Sequence, residues 1–269
     1  GDSALLCLSP DYIAGKMMVV RSLQRDLRLT TVRPSSHPLA DETLPSFTFA
    51  AMVPMQVYNT LKVPCERERL MRIRHLIIGG GAISDELAQM IKTLPNAVWS
   101  TYGMTETLSH IALRRLNGPD ASLWYTPFDG VGISLNAEGC LVIDAPEVCA
   151  EPLVTNDIAQ LRTDDRTGKT LFRIKGRKDN VVCSGGIKIQ IEEVEEALRP
   201  YLSDPFMIVK KQDEMLGEKA ILLTESADLT HIEEICRNTL PKYWVPREFL
   251  HIDHLPLTET GKPKRSGAF

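Results

Sequence analysis

The sequence predicts an α/β fold that opens on a parallel sheet, continues through a small antiparallel sheet and closes on a compact α+β unit. Three observations lead there. As far as Gly118, apolar runs of strand length alternate with segments of helical period. After Gly118 the runs become short and are divided by Gly, Asn and Asp. From about Asp179 onward, strand-like runs and Glu-rich helical segments mix.

Taken in order, Ala4-Leu5-Leu6-Cys7-Leu8 is a buried strand ended by the turn Ser9-Pro10-Asp11. Residues 15–29 place Met17, Met18, Leu23 and Leu27 near helical spacing, with Arg21, Arg25 and Arg28 between them. Residues 47–53 read as a strand stopped by Pro54, and residues 56–61 as a short helix. His75-Leu76-Ile77-Ile78 runs into Gly79-Gly80-Gly81, and Ser84-Asp85-Glu86 opens a helix to about Thr93. Ala97-Val98-Trp99-Ser100 is the strand that delivers Tyr102. Further strands are expected at 130–133, 140–143, 159–161, 170–174, 206–210 and 220–224, with helices at 191–198 and 231–240.

Of 269 residues, 43% are hydrophobic and 25% charged, the profile of an ordinary globular protein with room for one large domain or two. A net charge of −4 gives no reason to expect nucleic acid, and Arg67, Arg69, Arg72 and Arg74 read as a solvated face. Apolar runs such as Leu76-Ile77-Ile78 are too short for membrane insertion, and no secretion leader opens the chain. The six cysteines lack metal-ligand spacing and read as reduced packing residues of a cytoplasmic protein.

The segment Tyr102-Gly103-Met104-Thr105-Glu106-Thr107 is the richest in chemistry. Thr105 supplies a hydroxyl and Glu106 a carboxylate, beside a glycine whose bare backbone lets a ligand come close. A phosphate oxygen and a magnesium ion need that pairing, since Mg2+ prefers oxygen ligands and rests on one or two carboxylates plus substrate phosphates. Three polar, glycine-bearing segments follow: Thr155-Asn156-Asp157; Gly176-Arg177-Lys178-Asp179-Asn180 with Ser184-Gly185-Gly186; and Pro256-Leu257-Thr258-Glu259-Thr260-Gly261-Lys262. Read alone, each has a plain alternative: Gly79-Gly80-Gly81 as a strand-to-helix turn, Glu106 as a solvated carboxylate, Arg177 as a loop cation, Lys262 as part of a basic tail.

In this order the segments resemble those of the acyl-adenylate-forming enzymes, over nearly the whole chain from about Leu8 to Arg265. The resemblance implies residues 1–177 as the remainder of a large adenylation domain and 178–269 as a small mobile domain hinged at Asp179. It implies ATP, Mg2+ and CoA as ligands, a small carboxylic acid as substrate, and leaves a homodimer open. Gly79, Gly80 and Gly81 would line the adenine pocket with Tyr102 near the ring. Thr105 would bond the α-phosphate beside Gly103, and Glu106 would hold the metal. Asp157 and Arg177 would reach the ribose or phosphate, and Asn156, standing where the family has Gly, is expected to keep a turn through left-handed backbone. Lys262 would place its charge on the reacting phosphate, and Gly185 and Gly186 would face the CoA arm. Arg21, otherwise an ion pair of surface or core, matches where some members hold a second carboxylate, with Ser109 and His110 lining the acyl pocket. Members carry an upstream phosphate loop that is not in these 269 residues, so a fragment is expected. The alternatives are an acyl-CoA ligase of another acid, or a non-catalytic nucleotide-binding remnant.

Overall fold

The computed structural model describes residues 1–81, 83–256 and 264–265. Its residues form two compact units, the first comprising Gly1–Ser134, Ile143–Leu153 and Leu161–Arg173, the second Leu135–Val142, Val154–Gln160 and Ile174–Phe269.

The first unit is built on strands whose side chains are apolar on both faces, as a parallel sheet covered on both sides requires. β1 (Ser3–Leu6) is followed by α1 (Ile13–Gln24), which stops two residues before Asp26, a non-glycine residue at φ 51. The helix expected to reach residue 29 therefore ends early, and Arg28–Thr31 is instead strand β2, parallel to β1. β3 (Phe49–Met52) leads through Pro54, the first residue of α2 (Pro54–Lys62), to α3 (Pro64–Met71). Proline suits both first turns because it lacks only an amide hydrogen that a helix start leaves unpaired anyway. β4 (His75–Ile78), α4 (Asp85–Lys92) and β5 (Ala97–Gly103) complete the parallel part, with Ser84 Oγ capping α4 by accepting the Leu87 amide at 3.2 Å.

The sheet order is β2-β1-β3-β4-β5-β6-β7, with β6 (His110–Arg115) and β7 (Thr126–Pro127) added antiparallel. The change to antiparallel pairing thus comes at His110, before the Gly118 that the sequence suggested. One face of the sheet packs Leu5, Ala50, Leu76 and Val98 against Val57, Leu61, Leu70, Leu87 and Ile91 of α2, α3 and α4. The other packs Ala4, Leu6, Ala51 and Ile77 against Met18 of α1. Helices on both faces make it a doubly wound α/β layer.

A four-stranded sheet follows in the order β11-β10-β9-β8, from β8 (Gly132–Leu135), β9 (Cys140–Asp144), β10 (Leu153–Thr163) and β11 (Thr170–Arg177). Thr155-Asn156-Asp157 lies inside β10, and the non-glycine residues with positive φ among those described are Asp26 and Leu108. The left-handed turn expected at Asn156 is therefore replaced by extended strand, which asparagine enters freely.

The second unit closes on a hairpin, β12 (Val181–Ser184) and β13 (Ile187–Gln190), then α5 (Ile191–Leu198), β14 (Phe206–Asp213), β15 (Gly217–Thr224), α6 (Leu229–Thr239) and β16 (Glu248–His251). β15 pairs antiparallel with β14 and parallel with β16. Ile208, Ala220 and Leu222 turn to Val194, Leu198, Ile232 and Cys236, while Met207, Val209, Ile221 and Leu223 face Leu250, Ile252 and Leu255. Among the described residues no helix is long and apolar enough to cross a membrane, and all six cysteines are free.

Candidate functional site

The carboxyl ends of parallel strands are where an open α/β sheet leaves room for a ligand, and the first unit has a cavity of about 270 Å³ there. Its wall takes Leu8 from just beyond β1, Val53 from beyond β3, Gly79 and Gly80 from beyond β4, and Thr101 and Gly103 from β5. Arg21, Ile13 and Met17 of α1 line it too, as do Thr105, Leu108, Ser109 and His110. A larger cavity in this unit, about 740 Å³, is lined by Trp99, Arg115, Trp124 and Arg162 among others, and by none of the sequence-predicted site residues.

The connection from β5 to β6 builds one end of the site. The chain passes Gly103, makes a single 3-10 turn over Thr105–Thr107, and re-enters the sheet at His110. Thr107 is buried and holds the turn: its Oγ1 accepts the Met104 amide at 3.0 Å and donates to the Ser109 carbonyl at 2.7 Å. Thr105 and Glu106 are thereby left exposed, and Glu106 makes no ion pair with any described residue. An exposed carboxylate beside a hydroxyl fits a magnesium ion completed by phosphate oxygens. Leu108 takes φ 60 with its side chain 52% exposed at the cavity, an unusual conformation for a bulky residue that the surrounding turn imposes.

The structure adds a second reason for Gly103. A β-carbon there would run into the backbone of Ser109 and His110, at the register shift between Tyr102 and Gly103. Its own chain therefore crowds this glycine on one side, while the residue also lines the cavity. Gly79 is similarly crowded by the Thr101 hydroxyl, and Gly81 follows half-buried. Strand alternation sends Tyr102 away from Thr101 and Gly103. Its ring packs on Phe172 and Tyr125, with centroids 5.0 and 5.8 Å away, and it does not line the cavity.

Arg21, Ser109 and His110, 88 residues apart in sequence, come together. Arg21 Nη2 donates to Ser109 Oγ at 2.6 Å and to His110 Nδ1 at 3.2 Å. Because guanidinium only donates, Nδ1 must accept, and the ring proton sits on Nε2. Burial, then the Arg21 charge, holds the His110 pKa down at about 4, so the imidazole is neutral near pH 7. Burial also lowers the Arg21 pKa from its ordinary value. Among the described residues Arg21 has no carboxylate at ion-pair distance. A half-buried cation held only by a hydroxyl and a neutral ring is arranged to receive an anion. Sequence reasoning found all three polar residues but assigned no role to Leu8, Ile13, Met17 and Thr101, which carry no motif, or to Leu108, which lies within one.

Asp157, Arg177 and Asp179 meet in the second unit. Arg177 Nη1 lies 3.5 Å from Asp157 Oδ1 and Nη2 2.9 Å from Asp179 Oδ2, in the 3-10 turn Lys178–Asn180. Gly185 and Gly186, at φ 57 and 82, form the two-residue turn joining β12 to β13, a conformation that glycine adopts without strain. Lys262 lies outside the described residues.

No model of a known protein family matches the chain. It is 32% identical to an acyl-CoA synthetase (AMP-forming)/AMP-acid ligase II-like protein from Dyadobacter fermentans DSM 18053, covering 98% of this chain and 77% of that one with a TM-score of 0.64. It is 24% identical over 291 residues to the 2-succinylbenzoate–CoA ligase of Bacillus mycoides (strain KBAB4), covering 97% of this chain. The chain spans 60% of that relative's length. An o-succinylbenzoate CoA synthetase from Bacillus subtilis, in complex with its acyl-adenylate intermediate, shares the fold at a TM-score of 0.77 and 20% identity, over 99% of this chain and 60% of that one.

Proposed function

The chain belongs to the AMP-binding, acyl-adenylate-forming enzymes, and from that membership we propose that it serves an ATP-dependent acid–CoA ligase whose acid carries a second carboxylate. The acid this reading favours is o-succinylbenzoate, converted to its CoA thioester for menaquinone biosynthesis. The observation that carries it is Arg21, charged and without a carboxylate partner among the described residues, at the wall of an otherwise largely apolar cavity beside Thr105. An aromatic body would occupy the apolar walls formed by Leu8, Ile13, Met17 and Leu108, and its distal carboxylate would pair with Arg21.

In the first half-reaction the substrate carboxylate attacks the α-phosphorus of ATP, forming the acyl–phosphate bond as the bond to pyrophosphate breaks. Thr105 would bond an α-phosphate oxygen and Lys262 would bring a point charge to the same group, where negative charge develops. Glu106 would hold magnesium, which supplies charge neutralisation when bound. Asp157 would accept from the ribose hydroxyls, with Arg177 beside it. In the second half-reaction the CoA thiol attacks the acyl carbonyl and AMP leaves. Residues 178–269 would turn about Asp179, withdrawing Lys262 and presenting Gly185 and Gly186 to the pantetheine arm.

The test is calorimetric titration of the chain with 2-succinylbenzoate and with its succinyl methyl ester, followed by pyrophosphate release from ATP across a panel of aromatic acids. The diacid is expected to bind about 10- to 100-fold tighter than the ester, the worth of one charge-assisted bond. Equal binding of the two would remove the diacid and leave a ligase of another aryl or acyl acid. Acid binding with no pyrophosphate release would mark a non-catalytic nucleotide-binding remnant.

A further inference from the structure

The 740 Å³ cavity of the first unit shares no lining residue with the cavity that holds Arg21, and all of its own lining residues belong to that unit. Its construction starts at the end of the sheet. β7 is two residues long and pairs with Ala112 and Leu113, so β6 runs on past it through Arg114 and Arg115. The Ser122 amide donates back to the Arg115 carbonyl at 2.9 Å, which turns the chain and brings Trp124 to the same hollow. Tyr125 then exchanges main-chain hydrogen bonds with Phe172, at 2.7 and 3.2 Å, and so sets the end of β10 with Arg162 against it.

Three of the arginines here lie on aromatic rings. The guanidinium carbon of Arg115 is 5.1 Å from the Trp99 ring centre, that of Arg162 4.7 Å from Trp124, and that of Arg114 5.1 Å from Tyr125. A stacked guanidinium spends its face on the ring and keeps its edge of N–H donors for an oxyanion. Arg115 donates from Nε to the carbonyl and the side-chain oxygen of Asn117, at 3.0 and 2.9 Å. Arg114 Nε is buried with no hydrogen-bond partner among the described residues. Among those residues, none of the three arginines has a carboxylate at ion-pair distance. Arg162 acts on Asp164 only from farther off. The acids that line the cavity are committed or exposed. Asp129 pairs with Lys169 at 2.6 Å, Asp164 takes the Arg166 amide and the Thr167 hydroxyl of its own turn, and Asp120 and Asp165 face water.

We propose that this cavity binds a small, multiply charged oxyanion, a phosphate ester or a polycarboxylate, on Arg114, Arg115 and Arg162. Its volume falls within the range of small-ligand sites, roughly 300–1,000 Å³. Paired oxygens match the guanidinium fork, and a buried donor without a partner is costly until one arrives. None of these residues has a part in the adenylation or thioester steps set out above, so the site stands whether or not that reading does.

The test is titration of the chain with pyrophosphate and, separately, with citrate, at constant ionic strength. Trp99 and Trp124 line the cavity while Trp244 packs in the second unit, so indole emission is read in a Trp244→Phe background and, as a check, in the unaltered chain. Saturable binding with a Kd below about 1 mM is expected. Pyrophosphate binding the tighter marks a phosphate ester as the natural ligand, and citrate binding the tighter marks a polycarboxylate. Arg114→Met and Arg162→Met should each weaken binding about 10- to 100-fold, the worth of one charge-assisted bond. Thr105→Val should leave the emission change as it is. Binding of neither anion, equal affinity in the arginine variants, or loss in Thr105→Val, which would put the anion in the other cavity, overturns the proposal. If Arg114→Met does not fold, Arg162→Met, altered at an exposed position, decides alone. Emission that changes with protein concentration and no added anion would assign the cavity to acidic side chains of a second copy, and refutes it equally.

Discussion

Arg21 in the first unit and Arg265 in the second are both arginines drawn largely out of water, in opposite company. Arg265 finds a carboxylate on both prongs and a main-chain carbonyl besides. Arg21 finds a serine hydroxyl and a neutral imidazole. Guanidinium cannot shed its proton to escape burial, so its charge must be met by something. At Arg265 the chain itself meets it, and the side chain can only hold structure together. At Arg21 the described residues offer dipoles and no opposing charge, which is the basis for the proposal that a ligand's anion meets it. Burial alone does not separate a structural arginine from a binding one. The formal charge of its partners does.

Stability should break this comparison most visibly. Glu195→Ala would strand the Arg265 guanidinium and the Ile208 amide, and chemical denaturation should register a loss of about 3–5 kcal/mol, the usual cost of leaving one partner of a buried pair. Arg21→Ala, which removes a desolvated cation along with two hydrogen bonds, should change stability by less than about 1 kcal/mol. Comparable losses in the two variants would make Arg21 a structural residue as well.

Affinity should then sharpen it from the other side. Arg21→Ala is expected to raise the KM for a diacid by about one to two orders of magnitude, matching a charge-assisted bond of roughly 1.5–3 kcal/mol. The KM for ATP should hold, and monocarboxylate analogues should be indifferent. A diacid KM that does not move would detach Arg21 from the substrate.

The smallest effect is read at His110. Folded, its pKa lies at about 4, against 6.5 for an ordinary histidine. Between those values the unfolded chain binds a proton that the folded chain refuses. Its contribution to stability is therefore flat above about pH 6.5 and falls on acidification toward pH 4. Nuclear magnetic resonance titration of the ring should show Arg21→Ala raising the pKa while leaving it below 6.5, because burial is the larger cause. A bound diacid should raise it also, by bringing negative charge to Arg21. A pKa insensitive to both would mean that His110 does not sense the cavity.

What the sequence made legible follows the strength of its local signals. The run His75-Leu76-Ile77-Ile78 before three glycines, the Ser84 cap, and the helix over Ile191–Leu198 all announce themselves within a few residues. α3 did not, because Cys65-Glu66-Arg67-Glu68-Arg69 looks like a charged surface. Glu66 and Leu70, four residues apart, are buried, and one acid and one leucine make too narrow a stripe to read. β2 was absorbed into a helix because nothing marks Asp26 as a residue at positive φ. The candidate site was legible where motif residues sit together, and at Arg21 through likeness to other chains. Its apolar walls were not, since Leu8, Ile13 and Met17 converge only after the strands are laid side by side, and their sequence neighbourhoods say nothing of a cavity.

The contact of Gly103 with the backbone of Ser109 and His110 has a consequence for how such a chain can diversify. The turn proposed to face the nucleotide and the wall proposed to face the acid share that contact, so they cannot drift independently. Any residue larger than glycine at position 103 would push Ser109 and His110 off Arg21, and any insertion between Thr107 and His110 would lift Thr105 and Glu106 from their turn. A new acid preference can therefore arise cheaply only by exchanging side chains at Arg21, Ser109, His110 and the apolar walls, with the main chain held fixed. Variation in selectivity should be written in substitutions and never in loop length, and a library that randomises those side chains should keep its adenylating members where one that varies the 104–109 length loses them.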